Sequence, residues 1–180
     1  SLRPFLDGPS HQWWRHEDEG EFAVIGGACH PLDLMRWIVG EIEEASAYGV
    51  NKVLSDVPWK DTIIASLKFQ NGAVGKCLVS VGVPRPYSMT FNLFGTEGTV
   101  EEDRFYLKEF GHVEEWSRMP TSVVGEVHAC AEELEHFLTC IDEDKPPLID
   151  ARDGARTVAA CLAVAESIAS GKPAKVHGEF

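Results

Sequence analysis

Residues 62–83 constrain the fold most. Ile63, Ala65, Leu67 and Phe69 alternate with Thr62, Ile64, Ser66 and Lys68, the two-residue period of a strand with one buried face. Asn71-Gly72 follows at once. Both residue types tolerate the positive φ that a tight two-residue hairpin demands, so residues 73–83 must return antiparallel to the first strand. The pattern continues beyond. Residues 89–94 read as a strand, Gly95-Thr96-Glu97-Gly98 as a turn, and 99–102 and 105–110 as a continuing meander.

Helical signals lie only outside this block. Pro31 suits a first helical position, Leu32, Met35, Trp37, Ile38 and Val39 give apolar weight, and Gly40 suits a C-terminal stop, which predicts a helix over 30–39. In the last third, Val127, Cys130, Ala131, Leu134, Phe137, Leu138 and Ile141 recur at helical spacing. Pro146-Pro147 interrupts the chain. Asp150, with Asp153 three residues on, starts another helix as a capping pair, its buried face expected along Ala155, Val158, Ala159, Leu162, Ala165 and Ala169. Gly171 and Pro173 end it, and 174–176 supplies an edge strand.

Segregated strands and helices predict an α+β fold: an open, mainly antiparallel β-sheet with helices on one face, built as a single domain over 1–180. Strand 73–83 is apolar on both sides. Cys77, Val79, Val81 and Val83 point one way, Val74 and Leu78 the other. Helices cover one face, so the open face is expected to pair with a second copy as a homodimer.

Composition excludes several functions. Sixteen basic against twenty-nine acidic residues give a net charge of −13, which repels nucleic acid and anionic membrane. No apolar run approaches the ~20 residues of a membrane span. Cys29, Cys77, Cys130, Cys140 and Cys161 are odd in number, far apart and set in apolar stretches, so they read as buried thiols of a reducing, cytoplasmic compartment. The start, Ser1-Leu2-Arg3-Pro4, has no signal-peptide core and no methionine, which suggests a longer parent.

The richest stretch for chemistry is Gly26-Gly27-Ala28-Cys29-His30-Pro31-Leu32-Asp33. At a helix start His30 is expected to be a neutral proton acceptor, with Asp33 on the same side of the first turn. The alternative reading makes His30 a cap and Asp33 a partner for a helix N–H. Trp13, Trp14 and Arg15 either line a sugar pocket or anchor a loop. Cys29 beside His30 lacks a third orienting group and reads as a buried thiol. His128, Glu132, Glu135 and His136 have ligand-like spacing but lie opposite the apolar stripe, which favours a solvated face over a metal site. No G-x-G-x-x-G, no phosphate loop and no βαβ alternation occurs, so neither a cofactor-binding residue nor a metal ligand is assigned.

An ordered set of segments resembles the C-terminal domain of the Gfo/Idh/MocA oxidoreductases. It comprises GGACHPLDLMRWIVG (26–40), DTIIASLKFQNG (61–72), FGTEGTV (94–100), His136-Phe137-Leu138, PLIDARDG (147–154) and Ser170-Gly171-Lys172-Pro173. The resemblance implies a fold like the C-terminal domains of dihydrodipicolinate reductase and glyceraldehyde-3-phosphate dehydrogenase. It also implies a parent enzyme whose N-terminal Rossmann domain binds NAD or NADP, with no cofactor on this chain alone. This half would bind a sugar or polyol substrate and mediate oligomerisation. By the same resemblance His30 is the catalytic residue near the substrate hydroxyl, Asp33 completes an H-x-x-D pattern, and Trp14 and Arg15 stand where a W-R pair meets substrate. Many dehydrogenases of the family carry an aspartate four residues before the histidine, and here that position is Gly26. The alternative is a non-catalytic binding or dimerisation module of the same fold; a free-standing metal enzyme using the His128–His136 face is the third reading.

Overall fold

A computed structural model describes residues 23–110, 115–119 and 130–178. The chain forms two compact units, residues 1–86 with 148–180, and residues 87–147.

In the first unit a π-helix, Ala23–Ala28, runs into α1, Cys29–Val39. Strands β1 (Ile42–Val50), β2 (Thr62–Phe69) and β3 (Val74–Ser80) follow. The sheet is ordered β3-β2-β1-β8, where β8 is Ala174–Lys175 at the edge, and every pairing in it is antiparallel. Gly72 has φ 87, but Asn71 has no positive φ, and the register Lys68↔Val74 with Phe69 N–H bonded to the Ala73 carbonyl leaves residues 70–72 in the loop, so the expected two-residue turn is corrected to a three-residue one with only its glycine left-handed. Strand β1 itself was not singled out in the sequence, because Glu43, Glu44 and Ser46 blur its alternation.

The alternation of β2 is realised in full. Ile63, Ala65, Leu67 and Phe69 are buried with Ala45, Ala47 and Cys77 of the flanking strands. Helix α3, Ala151–Ser170, covers this face together with Leu32 of α1. Asp150 caps α3, its side chain accepting the N–H of Arg152 and of Asp153, and Gly171 closes it at φ 67. The expected buried stripe of α3 needs correction. Ala159 is buried as expected, together with Ala160, Cys161, Ala163, Val164 and Ser167, and Thr157 is buried against α1, whereas Val158 and Leu162 are 46% and 57% exposed. Small residues let the helix lie close to the strands, so bulk points outward. Beyond the two-residue β8, the Ala47 N–H donates to Ser167 Oγ at 2.9 Å, which satisfies a buried backbone donor.

The opposite face of this sheet is open. Tyr48 pairs across to Ile64, and Ile64 to Leu78. These three are 75%, 46% and 67% exposed, and Val74 is 81% exposed. The two-sided reading of residues 73–83 therefore holds, with Cys77 and Val81 buried and Val79 packed against the core.

In the second unit the strands do not continue the first meander. They make their own antiparallel sheet of β4 (Asn92–Phe94), β5 (Gly98–Glu101), β6 (Arg104–Leu107) and β7 (Ser117–Arg118). Pro84 and Pro86 lie between β3 and β4, and without N–H groups they cannot extend a ladder. Residues 89–91, read as strand, lie outside β4. Helix α2, Cys130–Asp142, carries the expected apolar stripe, but Leu134, Phe137, Leu138 and Ile141 are each at least half exposed. Cys130 is exposed and Cys29 half-buried, against the expectation that every thiol is buried; Cys77, Cys140 and Cys161 are. Among the described residues no helix is long and apolar enough to cross a membrane.

Candidate active site

His30 is the second residue of α1 and is exposed. The helix does not begin freshly there. Six residues of π-helix precede it, Ala28 is itself helical, and no side chain caps the junction. The expectation of a histidine at a free helix N-terminus is thereby corrected: helical residues upstream occupy the place where unsatisfied N–H groups would concentrate positive charge. Pro31 supplies a physical reason for the wider turn. In a continuous α-helix its ring would press on the carbonyl of Gly27, four residues back, and the bond from position 31 would be missing. A π turn loosens that spacing.

Asp33 faces α3. Its Oδ1 accepts the Thr157 hydroxyl, and Arg36 Nη1 lies 3.3 Å from the same oxygen. Arg36 is the hub. Its side chain is almost wholly buried, and it donates to Glu41 through Nε at 3.0 Å and Nη2 at 2.9 Å, a bidentate pair. It also reaches Asp153 Oδ1 at 2.9 Å, Thr157 Oγ1 at 2.6 Å and the Asp153 carbonyl at 3.2 Å. The hydrogen bonds it donates to Glu41, and then to Asp153, outweigh burial and hold the guanidinium above its ordinary range, so it is permanently charged. Asp33, Arg36, Trp37, Glu41 and Asp153 line a shallow cleft of about 150 Å³. That is below the roughly 300–1,000 Å³ of a typical ligand pocket, so this cleft does not by itself enclose a sugar.

Neither capping role foreseen for the two aspartates is what their carboxylates do. Asp33 serves Thr157 and Arg36 rather than a helix N–H, and Asp153 turns away from its own N-terminus to Arg36. Arg36 and Thr157 were missed in the sequence. The available signal was an arginine placed three residues after Asp33 on an otherwise apolar helix.

Burial raises the Cys29 thiol above its usual range, although the backbone at His30 opposes this, and burial takes Cys77 to about 11 and Cys161 to about 12. These groups are thiols at neutral pH, consistent with structural rather than nucleophilic cysteines. Trp13, Trp14, Arg15 and His128 lie outside the described residues. His136 Nε2 is 3.6 Å from Cys140 Sγ on α2.

Residues 2–176 match the family model described as the oxidoreductase family, C-terminal alpha/beta domain. Solved structures share the fold. A levoglucosan dehydrogenase in complex with NADH is 21% identical with TM-score 0.78, matched over 91% of this chain and 53% of its own. The WlbA dehydrogenase from Bordetella pertussis, in complex with NADH and UDP-GlcNAcA, is 22% identical with TM-score 0.66, over 86% and 45%. An oxidoreductase from Thermotoga maritima is 22% identical with TM-score 0.73, over 96% and 48%. The chain thus spans about half the length of each of these neighbours. No curated protein matches it.

Proposed function

The chain belongs to the Gfo/Idh/MocA oxidoreductase family as its C-terminal alpha/beta domain, and from that premise we propose that residues 1–180 form the single substrate-binding and oligomerisation domain of a cytoplasmic NAD(P)-dependent sugar or polyol dehydrogenase. Its reaction class is hydride transfer between a nicotinamide and a secondary alcohol or ketone. The dinucleotide does not fit this chain. Every strand pairing among the described residues is antiparallel, and no G-x-G-x-x-G opens a helix. It is assigned to a further domain.

The observation that carries the reading is His30, exposed near the start of a helix that the sheet and α3 hold rigidly from behind. In this reading its imidazole accepts the proton of the substrate hydroxyl, a role worth typically 10²–10⁴-fold. Trp14, Arg15 and Asp33 contact substrate. Asp33 would do so while shared with Arg36 and Thr157, and its side chain is 43% exposed. The open sheet face forms a homodimer.

A second reading, a non-catalytic module, is favoured by two observations. Gly26 stands where many family dehydrogenases have an aspartate, and the Asp33 carboxylate is already engaged. Assay of the full-length protein with NAD⁺ and NADP⁺ against sugars and polyols, levoglucosan, L-sorbose and a nucleotide-linked uronate among them, separates the two. Turnover that vanishes in His30→Ala supports the enzyme; no turnover on any substrate, with dimerisation intact, supports the module.

A further inference from the structure

The buried positions leading through the candidate site are Val24, Ala28, Leu32 and Arg36, all at most 7% exposed. They recur every four residues. In a pure α-helix three such steps would carry the last residue about 120° around the axis from the first. A buried stripe on an α-helix is commonly about 100° wide or more, so such a drift would place Arg36 at the edge of the stripe that Val24 begins. The π-helix Ala23–Ala28 reduces the drift, because its wider turn takes more residues over the step from Val24 to Ala28. The chain is anchored upstream by Ala23, Val24 and Ala28 and downstream by Leu32 and Arg36. His30 lies between the two anchors. Its direction is therefore set by where the wide turn ends and the α-turns begin.

The geometry points to Pro31 as a positioning residue that fixes this junction and, through it, the direction of the His30 imidazole. Pro31 offers no N–H to the Gly27 carbonyl, and its ring resists the approach that an α-turn would require. It blocks conversion of the π turn into α-helix at the step that spans His30. Replaced by alanine, position 31 gains a donor and the best helix former. The turn can then tighten, at the cost of rotating His30 against its anchored neighbours. This inference rests on the reading of His30 as the acid–base group only where it concerns rate; the control of ring direction stands without it.

Pro31→Ala tests both parts. Because the substitution adds a hydrogen-bond donor and helix propensity, folding is not the obstacle. Hydrogen exchange is followed at the new amide of residue 31, the ring resonances of His30 are compared by NMR with those of the unaltered chain, and kcat and KM are measured in the full-length enzyme. The expected result is a protected amide at 31, shifted His30 ring resonances, and kcat lower by up to about 10²-fold with KM changed less than twofold, the scale of a misplaced reacting group. A freely exchanging amide at 31, unmoved ring resonances, or unchanged kcat in an enzyme that His30→Ala inactivates would each overturn it. If His30→Ala is fully active, the reading of His30 falls, while the resonances of Pro31→Ala still decide the positioning.

Discussion

Asp61 shows how one side chain shapes the region around a strand. It is fully buried, and its Oδ2 accepts the N–H groups of Lys52, Val53 and Leu54 at 2.9, 2.5 and 2.7 Å, while the Thr62 hydroxyl donates to Oδ1 at 2.8 Å. Burial works to raise its pKa, but the bonds from Leu54, Thr62, Val53 and Lys52 together hold the carboxyl below its ordinary value. Its charge therefore folds the segment after β1 into a small second core of Leu54, Val57 and Trp59. Asp61→Asn, which keeps the shape but weakens charge-assisted bonds, is expected to lower stability by about 1–2 kcal/mol in urea unfolding at pH 7. A carboxyl with a depressed folded pKa stabilises above its unfolded pKa of about 4, and that contribution fades as pH falls through the folded value. The gap between variant and parent should thus persist from neutrality to about pH 4 and close below it. A gap constant down to pH 2 would contradict this. The sequence marked Asp61 only as a residue before a strand. Apart from the Thr62 hydroxyl, its side chain's partners are backbone groups seven to nine positions away, which no side-chain pattern records.

At the scale of elements, the tie between α1 and α3 is ionic where the rest of the core is apolar. Arg36 gathers Glu41, Asp153 and Asp33 in one place, and it is the buried member. Removing it leaves three carboxylates facing one another with no guanidinium between them. Arg36→Met is expected to cost about 1–3 kcal/mol by denaturant titration, less than breaking a fully buried pair because the three carboxylates left behind are each about a third or more exposed. Arg36→Lys should recover only part, since an ammonium cannot make the bidentate bond to Glu41. A loss under 1 kcal/mol in Arg36→Met would show the cluster to be a solvated surface network. Elements were read with uneven success for identifiable reasons. The β2–β3 hairpin was legible because alternation and Asn-Gly both mark it, although its loop takes three residues rather than two. The outward turn of Val158 and Leu162 was not, because α3 is alanine-rich on several sides and small residues such as Ala160, Ala163 and Ser167 make its buried face. The π-helix was equally hidden. Pro31 reads as a helix start, and only the buried spacing of 24, 28, 32 and 36 shows that helix already precedes it.

At the scale of the whole molecule, the family, the α+β class and the apolar outer sheet face were legible. The division into two sheets and the placement of Asp33 depended on packing between distant segments. Leu78→Glu, at the β3 end of the exposed Tyr48–Ile64–Leu78 row, is expected to leave the fold intact and convert a dimer to a monomer in light scattering. Val79→Glu, on the packed side, should unfold the sheet instead. A parent chain that is already monomeric at high concentration would remove the dimer from the account. Calorimetry on this chain alone is expected to show no micromolar binding of NADH, which would bind only with a further domain present; micromolar affinity would place a dinucleotide site here.

The most direct test of the central claim is the turnover of His30→Ala in the full-length enzyme on its best sugar or polyol. The exposed position of His30 on a rigidly backed helix leads us to expect an unchanged melting temperature and a kcat lower by at least about 10²-fold, the usual scale for losing a general acid–base group. Full turnover with the same melting temperature would contradict the assignment and leave His30 a structural part of the π–α junction.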